Sequence, residues 1–117
     1  MSKKILIVDD DPDILEVTSM ILENKGYEVS TSTSGDNIRN IMPDLLLLDI
    51  WMAGRYGSDI CKELKNDLST KNIKIIMLSA NRDVHEIATE CGADSYISKP
   101  FKMKELVEEI KNLVGPA

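Results

Sequence analysis

The chain has 117 residues, 43% apolar and 29% charged, with a formal net charge of −6. That is enough for one domain with a core of its own, and the composition excludes a disordered chain. The acidic balance argues against nucleic-acid binding by this domain and favours partners with basic surfaces.

Residues 5–8, Ile5-Leu6-Ile7-Val8, form a short β-branched run of the kind a strand buried on both faces requires. Asp9, Asp10 and Asp11 follow it. Asp11 is placed to cap a helix whose first position is Pro12. Ile14, Leu15, Thr18, Ile21 and Leu22 space out one helical face, and Gly26 suits a left-handed stop. Residues 27–31 read as a second strand near a sheet edge. Ser34-Gly35 turns into a helical piece over 36–42, about one turn short of the usual length, so a stubby second helix and some loss of cover on that sheet face are expected. Pro43-Asp44 introduces the strand Leu45-Leu46-Leu47-Leu48, which ends at Asp49. A glycine-containing loop over 51–57 precedes a helix near 58–66, with Ser58 as its expected cap. Residues 73–78 form another buried run. Val84, Ile87, Ala88 and Cys91 recur at helical spacing and stop at Gly92. A brief strand over 95–98 leads to Lys99-Pro100, and Met103, Leu106, Val107, Ile110, Leu113 and Val114 make the cleanest helical stripe. Along that stripe the Lys and Glu residues of 102–111 are expected on an exposed face with i,i+4 pairs.

Five strands alternating with five helices imply a parallel sheet covered on both faces. Such sheets bind ligands at their carboxyl edge. Reading the strand ends in order brings Asp9 and Asp10, Asp49, Ser79-Ala80 and Lys99-Pro100 to one rim. Crowded carboxylates need a cation or raised pKa values, and Mg²⁺, a hard oxygen-seeking ion, answers that need. A lysine, a hydroxyl and a carboxylate nucleophile beside such an ion suit the handling of a phosphoryl group. Cys61 and Cys91 lack ligand spacing and are expected as reduced thiols in or near the core. Met1-Ser2-Lys3-Lys4 leads into too short an apolar run for a signal peptide, and no stretch reaches transmembrane length. The expected compartment is the cytoplasm, with no membrane contact.

Ile7-Val8-Asp9-Asp10-Asp11, Pro43 to Asp49, Met52 with Gly57, Ser79-Ala80, Gly92-Ala93-Asp94-Ser95-Tyr96 and Lys99-Pro100-Phe101 occur in that order, each at a strand end or loop. Together they resemble the receiver domain of two-component response regulators over essentially the whole chain. The resemblance implies a flavodoxin-like, doubly wound five-stranded parallel sheet of order 2-1-3-4-5, with the receiver domain over 1–114 and a tail over 115–117. It implies that Asp49 accepts a phosphoryl group from a phosphohistidine on a sensor kinase or phosphotransfer protein. Asp9, Asp10, Asp49 and the backbone carbonyl of Trp51 would hold Mg²⁺, while Ser79 and Lys99 would hold the phosphoryl group. Ser79 and Tyr96 would act as the switch pair, and the Lys99-Pro100 peptide would be cis. The readout would lie on the fourth helix, fifth strand and fifth helix, about 84–114, toward an output protein or output domain. A monomer or a phosphorylation-dependent dimer is compatible with that surface. The chemistry would be self-directed, with no metabolite turned over.

Where the family commonly carries Met-Pro and then Gly-any-Asp-Gly, this chain has Met52-Ala53-Gly54-Arg55-Tyr56-Gly57. Ala53 in place of proline suggests a looser loop. Trp51 and Asn81 are placed to alter the lifetime of an acyl phosphate. Asp11 is better explained as a cap than as a ligand, and His85 is expected in solvent without a catalytic part. A receiver-like interaction domain that is never phosphorylated is the alternative, although such a domain would be expected to lack an acid, the lysine or the hydroxyl. An aspartate phosphatase would want an acid at position 51, and a flavodoxin-type cofactor site would not place acids after the first strand.

Overall fold

Alternation of buried runs with amphipathic segments produces a five-stranded parallel sheet between two layers of helices. The computed structural model describes residues 3–52, 55–80 and 82–117. In chain order the elements are β1 (Lys4–Val8), α1 (Pro12–Asn24), β2 (Glu28–Ser32), α2 (Ile38–Ile41), β3 (Leu45–Asp49), β4 (Trp51–Met52), β5 (Arg55–Tyr56), α3 (Gly57–Lys65), β6 (Lys74–Ser79), α4 (Val84–Cys91), β7 (Ser95–Ser98) and α5 (Met103–Val114). The main sheet runs β2-β1-β3-β6-β7, which is the order 2-1-3-4-5 among its own strands. Its register aligns Val8 with Ser32 and Leu48, Leu48 with Met77, and Ser79 with Ser98, so all five strands end within two residues of one level.

Period-two alternation divides the strand side chains between two cores. Leu6, Val8, Leu46, Leu48, Ile75 and Met77 pack under α2, α3 and α4 with Ile60, Leu64, Val84 and Ala88. Ile5, Ile7, Leu45, Leu47, Ile76 and Leu78 pack under α1 and α5 with Leu15, Leu22, Leu106 and Ile110. The four leucines of β3 are fully buried because that strand is central and covered on both sides. No described helix is long and apolar enough to cross a membrane.

α1 starts as its sequence dictates: the Asp11 carboxylate accepts a hydrogen bond from the Asp13 amide at 3.0 Å, with Pro12 at the first helical position. Replacing Asp11 by Ala should lower stability by about 1 kcal/mol. Urea unfolding checks this, and an unchanged midpoint at unchanged slope would contradict it.

α2 is a single turn of four residues, as the short spacing between Gly35 and Pro43 predicts. The loss of cover stops at the edge strand. Ser30 and Ser32 of β2 are half-buried on that side, while their neighbours Leu6 and Val8 on β1 are fully buried. Arg39 ties the turn to its neighbour α3 in the same layer, its guanidinium 2.8 Å from Asp67 and 3.7 Å from Glu63.

Three expectations are corrected. The stretch over 51–57 is not simply a loop: β4 and β5 pair antiparallel, Trp51 with Tyr56 and Met52 with Arg55, which satisfies backbone groups a loop would leave to water. Ser58 is not the cap of α3. The helix begins one residue earlier, at Gly57, with Tyr56 in the cap position and no side-chain cap bond. The Gly57 amide instead donates to the Ile50 carbonyl at 2.5 Å, so the helix start is fixed by contact with the end of β3. On α5 the Lys and Glu side chains face solvent, yet among the described residues none of them forms an ion pair. The available Lys104 to Glu108 spacing runs in the less favourable direction along a helix, and exposed pairs gain little.

Cys61 and Cys91 are free and buried, facing each other from α3 and α4, with the Cys61 thiol donating to the Cys91 carbonyl at 3.4 Å. The neighbouring Cys91 thiol and burial push Cys61 far above the ordinary thiol range, so that thiol stays protonated. The tail folds back: the Tyr27 hydroxyl donates to the Gly115 carbonyl at 3.0 Å.

Candidate functional site

Each rim residue is placed by the end of a strand. β1 delivers Asp9, which is almost fully buried, and Asp10, which is exposed. Asp9 is locked from both sides. One carboxylate oxygen accepts from the Asp11 amide at 3.0 Å and the other from the Lys99 ammonium at 2.8 Å. β3 delivers Asp49, 7% exposed, whose carboxylate lies 3.6 Å from the same ammonium. β6 ends at the buried Ser79, whose carbonyl accepts the Lys99 amide at 2.8 Å. The peptide that follows Lys99 is cis, as expected for Lys99-Pro100.

Asp9, Asp10, Asp49, Ser79, Ala80 and Lys99 therefore border one cleft of about 680 Å³, which continues between α3 and α4 past Ser58, Lys62, Ile87 and Glu90. Burial pushes the Asp49 carboxyl up to about 6, and the charges of Asp9 and Asp10 add to that push while Lys99 opposes it. Burial works against the Lys99 ammonium, but its bonds to Asp9 and Asp49 outweigh burial and hold it above the usual lysine range. It is a permanent cation at the centre of the rim.

The carboxylate oxygens of Asp9, Asp10 and Asp49 lie within 4.8 Å of one another. That donor set fits Mg²⁺, which takes one or two carboxylates and keeps several waters, and the cleft leaves room for those waters. Burial first, and the neighbouring acids second, raise the pKa of Asp49, and a bound cation would oppose both.

Of the residues the sequence singles out, the structure brings Asp9, Asp10, Asp49, Ser79 and Lys99 to one cleft. Asn81, Ala53 and the side chain of Trp51 lie outside the described residues. The backbone of Trp51 begins β4, directly after Ile50, whose amide donates to the Leu78 carbonyl at 3.0 Å. Tyr96 stands apart from the cleft on β7, its side chain directed outward and 41% exposed. What the sequence did not suggest is its companion. His85 is exposed on α4, as expected, but its imidazole packs on the Tyr96 ring with centroids 4.9 Å apart.

The family model described as the response regulator receiver domain matches residues 5–111. The chain belongs to that family. The DNA-binding response regulator MtrA of Mycolicibacterium smegmatis is 37% identical over 117 residues, covering 95% of this chain and 50% of the relative. This chain thus spans about half the length of the curated relatives it matches. Among solved structures, a response regulator from Chloroflexus aurantiacus superposes with a TM-score of 0.90 at 34% identity, covering 97% of this chain and 98% of that one. The response regulator TrrA of Thermotoga maritima, determined in complex with Mg²⁺-BeF, superposes with a TM-score of 0.83 at 34% identity, covering 96% and 99%. The flavodoxin-like architecture and the receiver identity expected from the sequence both stand.

Proposed function

We propose that this receiver domain, spanning residues 1–114, takes a phosphoryl group onto Asp49 from a phosphohistidine of a sensor histidine kinase or phosphotransfer protein. The observation that carries the reading is the placement of a buried Asp49 carboxylate beside two further acids and 3.6 Å from a lysine ammonium, at the mouth of an accessible cleft. An ionised Asp49 oxygen attacks phosphorus, forming the new P–O bond as the P–N bond of the donor breaks and the imidazole departs. Above pH about 6 the carboxylate is ionised and able to attack. Lys99 shifts part of its hydrogen bonding from Asp9 to the incoming phosphoryl oxygens, and the Ser79 hydroxyl donates to one of them. Asp9, Asp10, Asp49 and the Trp51 carbonyl are the residues to hold Mg²⁺, which when bound neutralises phosphoryl oxygens.

The new charge-assisted bonds at Ser79 and Lys99 bias a two-state equilibrium at this end of the sheet. Tyr96 follows Ser79 inward, and the surface of α4, β7 and α5 presents the result to an output protein or output domain, with or without dimerisation. Such a domain acts only on its own phosphorylation state and works in the cytoplasm.

Intact mass after incubation with Mg²⁺ and acetyl phosphate tests the reading. Wild type should gain one phosphoryl group, lose the gain in EDTA, and lose it altogether as Asp49→Ala. A chain that neither gains the group nor binds Mg²⁺-beryllofluoride is instead a receiver-like interaction domain.

A further inference from the structure

His85 lies in the first turn of α4, six residues after Ser79, and its ring packs on the Tyr96 ring at a centroid distance of 4.9 Å and an interplanar angle of 33°. Tyr96 lies on β7 opposite Met77, two residues before the level at which Ser79 pairs with Ser98. Both side chains are exposed, so neither core packing nor a buried hydrogen bond fixes the phenol outside. The ring contact with His85 is the described aromatic interaction that does. An inward turn of Tyr96 must break it, because His85 is carried on the solvent side of α4.

We propose that His85 is a positioning residue for Tyr96, a latch that holds the phenol in its outward position and so sets the resting balance of the switch. This rests on the phosphoacceptor reading of the domain. Tilted ring pairs of this kind shift a two-state balance by about two- to tenfold, and an exposed pair lies toward the lower end. A latch of that size keeps the domain off without preventing phosphorylation from turning it on. It also joins the first turn of α4 to the ring on β7.

The test is beryllofluoride binding in saturating Mg²⁺, followed by the fluorescence of Trp51, with the Tyr96 ring followed by NMR in the free protein. If the activated state is the binding-competent one, releasing the latch raises its population and tightens apparent affinity by the same factor. His85→Ala should therefore bind about two- to fivefold tighter and move the free Tyr96 ring signals toward their ligand-bound positions. His85→Phe, which keeps a ring at that position, should return both to wild type. In a Tyr96→Ala background, His85→Ala should change affinity by less than about 1.5-fold, since the partner of the latch is gone. An effect of equal size in that background would mean that His85 acts by stabilising α4, and would overturn the proposal. So would a His85→Ala affinity equal to wild type. Wild type that fails to bind beryllofluoride would remove the phosphoacceptor reading, and the latch with it.

Discussion

Gly57→Ala should lower the melting temperature by 10 °C or more, a loss of about 3 kcal/mol or greater, and weaken Mg²⁺ affinity at the same time. A Cβ at position 57 would overlap the Asp49 carbonyl oxygen and stand 3.1 Å from the Ile50 Cα. Both obstacles are backbone at the end of β3, the most buried strand, so no side-chain rotation relieves the overlap. Either α3 retreats, giving up the bond from the Gly57 amide to the Ile50 carbonyl, or the end of β3 moves and carries Asp49 with it. Gly92→Ala is the control. Gly92 has φ 84°, but an added Cβ there meets only Lys65 side-chain carbons at 3.6 Å. Its cost is the left-handed backbone alone, about 1–2 kcal/mol, with no effect on Mg²⁺. Thermal unfolding and Mg²⁺ titration of the two variants decide the matter: a Gly57→Ala protein no less stable than Gly92→Ala would refute the close-approach argument.

Most of what positions the site was legible from local pattern. Four-residue apolar runs end at Asp9 and Asp49, and the alternation of runs with helical stripes implies the parallel sheet that brings those ends together. The truncated α2 was legible as a count of residues between Gly35 and Pro43. What escaped was set by contacts with no local period. The bond from Lys99 to Asp9 joins residues 90 apart, and nothing in either neighbourhood says that the lysine would engage Asp9 more closely than Asp49. The start of α3 was misplaced because a serine looks like a cap, whereas the end of β3 decides where the helix must begin. The pairing of β4 with β5 was hidden by shortness, two residues a side being below any detectable alternation. His85 looked like one more solvated side chain because its partner lies on another element. Lys65 is a comparable case at the opposite edge of the sheet. Its ammonium binds the Ile73 carbonyl at 2.7 Å and Asp94 at 2.8 Å, and Asp94 in turn accepts the Ile75 amide at 2.8 Å. These bonds tie the end of α3 to the entry of β6 and β7, so the end of the molecule away from the rim is fastened while the rim carries the uncompensated charge.

That charge predicts that the phosphoacceptor destabilises the metal-free fold. The Asp49 pKa is pushed up to about 6 by burial, then by Asp9 and Asp10, against a reference value of 3.8. Below pH about 4 the carboxyl is protonated whether the chain is folded or not, and it contributes no pH dependence. Between pH about 4 and 6 the unfolded chain has lost the proton and the native one retains it, so stability falls as pH rises. Above about 6 both states are ionised and the loss levels off at about 3 kcal/mol, from 1.36 kcal/mol per unit. Asp49→Asn removes the ionisation and should therefore stabilise the protein in EDTA at pH 7.5 by roughly 1–3 kcal/mol, with the advantage shrinking toward pH 4. Mg²⁺ should reverse the order of the two proteins, because its binding free energy adds to the stability of the native wild type and the variant lacks one of the three carboxylates that attract the ion. Thermal unfolding of both proteins from pH 4 to 8, with EDTA and with Mg²⁺, reads all of this in one set of curves. An Asp49→Asn variant no more stable than wild type in EDTA at pH 7.5 would show that Lys99 already neutralises Asp49. The case for a site strained toward its cation would then fail.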